Sequence, residues 1–319
     1  MERFDGRIAV LTGGGSGIGR ELVRMLAAAG CHVATCDVIE DALTLTKALA
    51  LEGAPQGTKV VTFCADVSDE AQVRAFRDVV ARELDTDHIH LLFNNAGIGG
   101  GGSMFSDDRA DWERTFDTDW GGVYHCTRTF LPMLVAAEEG HLINTSSLNG
   151  LWASIGPRTP HTAYCAAKFA IRGFSEALIA DFRVNAPHLR VSVVMPGHVG
   201  TSIVLNSAKA HGQDPDSLTS EGLDRIRRQL TGAGLPADSM SDDDIRKGVQ
   251  MIGEAFRDTA PTSADRAAAI ILDGVRENRW RILVGQDAEL IDAAVRADPE
   301  PAYDVEFVEA IRQQGIWFA

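Results

Sequence analysis

A short apolar run, Ile8-Ala9-Val10-Leu11, stops at a cluster of glycines, and apolar residues then resume at helical spacing as Ile18, Leu22, Met25 and Leu26. A strand that gives way to a helix through glycines opens a rhythm that continues down the chain. Residues 33–36, 59–64, 89–93, 141–145, 191–194 and 281–284 read as further strands, which makes seven. Helical stretches fall between them at 17–29, 40–52, 69–84, 109–137 and 161–184, and another starts after Thr262 or Ser263, either of which can cap it. Ser68 is the expected N-cap of the 69–84 helix, with Asp69 and Glu70 in its first turn, where carboxylates suit the helix dipole. Alternation of this kind builds an α/β fold, a doubly wound parallel sheet with helices on both faces. The strands are nearly continuous apolar runs, as strands covered on both sides must be.

Charge narrows the partners. The formal net charge is −15, which argues against nucleic acid or an anionic membrane as the main partner. No apolar run reaches the length of a membrane span, and the charged opening Met1-Glu2-Arg3-Phe4-Asp5-Gly6 lacks the apolar stretch of a signal peptide. The five cysteines are odd in number and form no Cys-x-x-Cys pair, so reduced thiols in a cytoplasmic protein are expected, with no metal site.

Two regions break the rhythm. Residues 201–260 are polar, with only weak helical segments, and are expected to be an irregular insertion that serves as a substrate lid. The acidic tail 286–319 carries Phe307, Val308, Ile311, Ile316, Trp317 and Phe318, too many apolar residues for a solvated tail. It is expected to pack on its own subunit or on a partner. With no repeat and no clear linker, residues 1–319 read as one domain with a lid and a C-terminal extension.

The turn Thr12-Gly13-Gly14-Gly15-Ser16-Gly17-Ile18-Gly19 lies between strand and helix. Glycines let a diphosphate approach the backbone, and the helix N-terminus supplies free N–H groups and a positive dipole end. In that setting the turn reads as a dinucleotide site. Asp37 ends the second strand, 18 residues after Gly19, where a carboxylate can accept from ribose hydroxyls and repel a 2′-phosphate. Neither Ser16 nor Val38 offers that phosphate a cation, so NAD is the expected cofactor.

Tyr164 and Lys168 are four residues apart, on one helix face. A nearby ammonium favours the phenolate, so the pair suits proton transfer to or from an alcohol oxygen. Ser146 and Ser147 follow the fifth strand, at the sheet end where such folds bind ligands. Through Thr12-Gly13-x-x-x-Gly17-x-Gly19, Asp66-Val67, Asn94-Asn95-Ala96-Gly97, Ser147, Tyr164-x-x-x-Lys168 and Pro196-Gly197-x-Val199-x-Thr201, the chain resembles the classical short-chain dehydrogenase/reductase family. The match is continuous over residues 5–204 and looser to about 285.

The resemblance implies a Rossmann-like fold with Tyr164 as general acid/base and Lys168 lowering its pKa and holding the nicotinamide ribose. Ser147, rather than Ser146, would orient the substrate oxygen. Gly13, Ser16, Gly17, Ile18 and Gly19 would hold the diphosphate; Asp37 and Val38 the adenosine ribose; Asp66 and Val67 the adenine. Residues Asn94, Asn95, Ala96 and Gly97 would line the ribose and central sheet, and Pro196, Gly197, Val199 and Thr201 the nicotinamide. Two departures stand out. Asp119 occupies the position of the family's relay asparagine, where an ionised carboxylate would partly offset Lys168 and leave Tyr164 less acidic. Ser147 and Tyr164 are 17 residues apart, more than is usual, with the excess around residues 156–160 beside the expected substrate pocket.

The implied activity is an NAD(H)-dependent interconversion of a secondary alcohol and a ketone. A longer lid fits a bulky apolar alcohol. Asn149, Trp152, His161 and His198 would lie near the substrate, although Trp120 and Trp152 are better suited to packing. The other readings are a catalytically silent NAD-binding sensor or structural protein, and a dehydratase or epimerase on the same scaffold. Family members pair through the two long helices, which implies a homodimer or homotetramer.

Overall fold

The computed structural model describes residues 1, 3–156, 159–215, 217–232 and 237–313. Strands β1 (Ile8–Thr12), β2 (His32–Asp37), β3 (Val60–Cys64), β4 (Leu91–Asn94), β5 (Gly140–Thr145) and β6 (Leu189–Pro196) follow one another along the chain. Strands β7 (Val199–Gly200), β8 (Thr262–Ser263) and β9 (Arg281–Val284) complete the set. The main sheet has seven strands in the order β3-β2-β1-β4-β5-β6-β9, and every pairing is parallel. The seven strands expected from the apolar runs are the seven observed, to within two residues at their starts.

Side chains alternate between the two faces of each strand, and each face has its own core. Leu11, Val33, Phe93 and Val194 pack under α1 (Gly17–Ala28) and α10 (Ala264–Arg276), through Leu22, Leu26, Ile271 and Leu272. Val10, Ala34, Leu92 and Leu142 pack on the opposite side. There they meet α3 (Glu70–Leu84), α5 (Gly122–Val135) and α6 (Thr162–Asn185), through Phe76, Phe130 and Phe182. All five residues of β1 are buried, as a central strand covered on both faces requires. Strand order reverses between β1 and β4, and the crevice beyond their carboxyl ends is where such sheets bind ligands.

Several local expectations change. The cap of α3 is Asp69, whose carboxylate accepts from the Ala71 and Gln72 amides. Ser68 lies one residue before that cap, and its hydroxyl donates to Asp66 at 2.7 Å. The stretch expected as one helix at 109–137 is α4 (Arg109–Phe116), a π-helical turn at Asp117–Gly121, and α5. Such turns add a residue to the helical register and recur at functional sites. Ser263 stands at the cap position of α10 without a side-chain bond to its backbone, and with Thr262 it forms β8.

The 201–260 insertion is far more ordered than expected. It folds into α7 (Ile203–Ala210), α8 (Ser220–Gly232) and α9 (Asp242–Asp258). Leu218, Leu223, Ile226 and Ile245 form a small core of their own, and a Ser241–Asp244 capping box starts α9. Pairing of β7 with β8 closes the insertion at its base. The C-terminal segment forms helices α11 (Gln286–Ala297) and α12 (Val305–Arg312), which pack on this chain itself. Trp152 is fully buried among Ile291, Ala302, Val308 and Ile311, and its indole N–H donates to the Ala302 carbonyl at 2.6 Å. The remaining helix, α2 (Glu40–Glu52), follows β2. Residues Ile316, Trp317 and Phe318, and part of the 156–160 excess, lie outside the described residues.

Candidate active site

The glycine turn is held open by its own backbone. Gly13 and Gly17 adopt φ of 72° and 51°, in the left-handed region that favours glycine. A Cβ on Gly19 would strike the Gly13 carbonyl, so only glycine allows α1 to start this close to β1. Thr12 Oγ1 accepts from the Asn95 and Ala96 amides at 3.0 and 3.1 Å, and the Asn95 side chain donates to the Thr12 and Gly13 carbonyls. This ties the turn across to the end of β4. Ser16 begins α1 without capping it, so its hydroxyl does not take the first amides of the helix, which suits an anion there. Arg20 is spent inside the fold, on the Gly15 carbonyl and Thr46.

Asp37 Oδ2 accepts from the Gly15 amide at 2.9 Å and Oδ1 from the Ile39 amide at 3.1 Å. The carboxylate thus braces the turn and keeps lone pairs toward the crevice. Beside it Val38 is exposed. A cleft of about 460 Å³ runs from here to the nicotinamide-side loop. Its walls include Gly13, Ser16, Gly17, Ile18, Gly19, Asp37, Val38, Asp66, Val67, Asn95, Ala96 and Gly97. They also include Ser147, Tyr164, Lys168, Pro196, Gly197, Val199 and Thr201. Asn94 sits behind the wall and bonds Thr127 and Asn144.

Tyr164 and Lys168 face the cleft from the first turns of α6, with the ammonium 5.1 Å from the centre of the phenol ring. Lys168 Nζ pairs with Asp119 Oδ2 at 3.0 Å, and both side chains are buried. Asp119 Oδ1 accepts from the Ile98 amide at 2.8 Å. The π-helical turn therefore delivers a carboxylate directly to the lysine. Burial pushes the Asp119 carboxyl above its ordinary value, against the pull of Lys168. Burial pulls Lys168 down, but Asp119 and Tyr164 together carry it above its ordinary value. Burial raises the Tyr164 phenol; Lys168 and Ser147 work against that, and Asp119 adds to it. The Ser146 hydroxyl is committed to the Lys168 carbonyl at 2.7 Å, whereas Ser147, whose Oγ accepts from the Asn149 amide at 3.1 Å, lines the cleft beside Tyr164.

Other expected neighbours of the substrate fall elsewhere. The Asn149 amide donates to the Trp152 and Ser154 carbonyls and builds a turn. His198 Nε2 meets the Phe256 carbonyl at 2.6 Å, and its backbone N–H donates to Asp287, so this residue holds the base of the insertion. Trp120, expected to pack, does so on Phe174. His161 alone stays beside the reacting group, its ring centre 4.6 Å from that of Tyr164. Thr118, Asn206 and Lys209 also line the cleft and were not expected. Asn206 reaches Ser16 Oγ at 3.1 Å from α7, a contact that no irregular reading of the insertion contains.

Residues 7–212 match the family model described as short chain dehydrogenase. The chain belongs to the short-chain dehydrogenase/reductase family. It is 34% identical over 296 residues to the "Putative oxidoreductase SadH" of Mycobacterium tuberculosis, covering 93% of this chain and 92% of that one. It is 34% identical over 208 residues to the levodione reductase of Leifsonia aquatica, covering 65% and 74%. A short-chain dehydrogenase/reductase from Burkholderia phymatum, solved in complex with NAD, superposes with a TM-score of 0.74 at 28% identity, covering 94% and 96%. This chain is thus similar to family oxidoreductases along nearly its whole length. No described helix of this family member is long and apolar enough to cross a membrane.

Proposed function

We propose that this protein is an NAD(H)-dependent dehydrogenase/reductase that interconverts a secondary alcohol and a ketone. The observation that carries the reading is the meeting of Ser147, Tyr164 and Lys168 in one cleft with the glycine turn and Asp37. The cradle fits a dinucleotide, because Gly13 and Gly19 let the turn lie tight against the ends of β4 and α1 while Ser16 leaves the first amides of α1 uncapped for a diphosphate. Asp37, with no cation at Ser16 or Val38, favours NAD over NADP. When bound, NAD supplies the hydride acceptor.

The protein's own part is position and proton transfer. Ser147 donates to the substrate oxygen and holds its carbon toward the nicotinamide side. The Tyr164 phenolate takes the hydroxyl proton during oxidation and returns it during reduction. Lys168 stabilises the phenolate, and Asp119 keeps the ammonium charged in a buried setting while moderating its field. General acid/base groups of this kind contribute about 10²–10⁴-fold to rate, so Tyr164→Phe should lose activity on that scale with NAD binding retained.

The three helices of the insertion form the substrate lid of a single catalytic domain, since Asn206 and Lys209 bring α7 over the cleft. A bulky apolar alcohol suits such a cover. The exposed Tyr124 and Phe169 on α5 and α6 favour pairing into a homodimer or homotetramer, testable by sedimentation. All five cysteines are free, in keeping with a cytoplasmic protein.

A further inference from the structure

Beside Tyr164 stands an imidazole that proton transfer leaves unused. His161 occupies the cap position of α6, yet its side chain makes no cap bond. The helix does not need one: the Thr162 and Ala163 amides donate to the Gly102 and Gly101 carbonyls at 3.0 Å each. The ring lies instead over the Tyr164 phenol, with centroids 4.6 Å apart and planes tilted by 34°. Its Cε1 stands 4.0 Å from where a Gly99 Cβ would be, so the imidazole sits between the catalytic helix and the 98–102 backbone. Among the described residues neither ring nitrogen has a hydrogen-bond partner. Burial holds its pKa at about 4, so near neutral pH it offers one donor and one acceptor. A half-buried polar ring without a protein partner calls for a ligand or water.

We propose that His161 selects the substrate by hydrogen-bonding a second oxygen, one or two carbons from the carbon that reacts. The preferred substrates are then hydroxyketones, diones and diols rather than compounds with a single oxygen. The inference rests on Tyr164 as the proton-transfer group: Tyr164 and Ser147 hold the reacting oxygen, and the imidazole tilted against the phenol meets the substituent beside it. A neutral imidazole serves either oxidation state, since it can donate to a carbonyl or accept from a hydroxyl. A site built to bond a polar group discriminates strongly against analogues that lack it.

The test compares matched pairs, 2-hydroxycyclohexanone with cyclohexanone and 3-hydroxy-2-butanone with 2-butanone, each reduced with NADH. The wild type should prefer the hydroxyketone in kcat/KM by about tenfold or more. His161→Phe keeps a ring against the phenol and removes both hydrogen bonds, so that ratio should collapse toward one. His161→Asn restores a donor and an acceptor and should recover part of it. Equal loss on both members of a pair, or an unchanged ratio, overturns the proposal and leaves a packing or water-bonded ring. Turnover of the plain ketones alone overturns it while Tyr164 chemistry stands. Turnover of neither overturns both, and Tyr164→Phe run alongside separates these cases.

Discussion

Replacing Asp37 by alanine removes two things at once, an acceptor for ribose hydroxyls and a negative charge at the mouth of the adenosine site. Hydrogen bonds to a charged acceptor are worth about 1.5–3 kcal/mol each. Asp37 is only partly buried, so the lower end applies. Two such bonds come to about 3 kcal/mol, or roughly 100-fold in Kd for NAD. A 2′-phosphate about 5 Å from the carboxylate feels about 1–3 kcal/mol of repulsion at effective dielectrics between water and protein. Its removal should tighten NADP by roughly tenfold or more, so the NAD/NADP preference should fall by about three orders of magnitude. Asp37 also braces the Gly15 and Ile39 amides at 2.9 and 3.1 Å, so part of any loss could come from a loosened turn. Asp37→Asn controls for that, because its amide oxygen can still accept one of these bonds while the charge is gone. Kd for both cofactors is read by fluorescence titration at fixed ionic strength. An unchanged NAD/NADP ratio in both variants refutes the assignment, whatever happens to absolute affinity.

Asp119→Asn keeps an acceptor for the Ile98 amide and removes the charge that raises Tyr164. The acidic limb of the pH–rate profile should therefore move to lower pH, with activity on that limb rising several-fold. A profile that does not move takes Asp119 out of the relay. Acid stability tests the core separately. Burial holds His141 at about 3, whereas the unfolded chain titrates near 6.5. The unfolded state then binds a proton that the folded state refuses, so stability is complete above about 6.5 and is lost as pH falls toward 3. Between pH 7 and pH 5 this one residue should cost about 2 kcal/mol. Urea titrations of wild type and His141→Asn should differ by that amount in their pH dependence, and parallel curves would show that His141 charges freely.

The sheet was legible because each strand is a compact apolar run closed by glycine, asparagine or aspartate, and covered strands leave no other pattern. The glycine turn was legible because the approach of α1 to β1 tolerates no side chain at Gly19. The insertion was not, since its helices bury Leu223, Ile226 and Ile245 against each other rather than on the sheet, and average polarity hides so small a core. Asn206 and Lys209 were hidden with it. Asp119 could be flagged from its place in a motif, but its 3.0 Å contact with Lys168 depends on a π-helical turn that apolar spacing does not announce. The α3 cap is Asp69, one residue after Ser68, and two adjacent residues that both cap well leave propensity alone unable to place the boundary.

The central claim is proton transfer by Tyr164 in an NAD-linked alcohol oxidation. It is tested most directly by NADH formation from NAD across a panel of secondary alcohols, with Tyr164→Phe beside the wild type and NAD affinity measured for both. The wild type should turn over, and the variant should lose that turnover by about 10²–10⁴-fold while its affinity for NAD stays close to that of the wild type. Equal turnover by the two proteins, at matched NAD affinity, would contradict it.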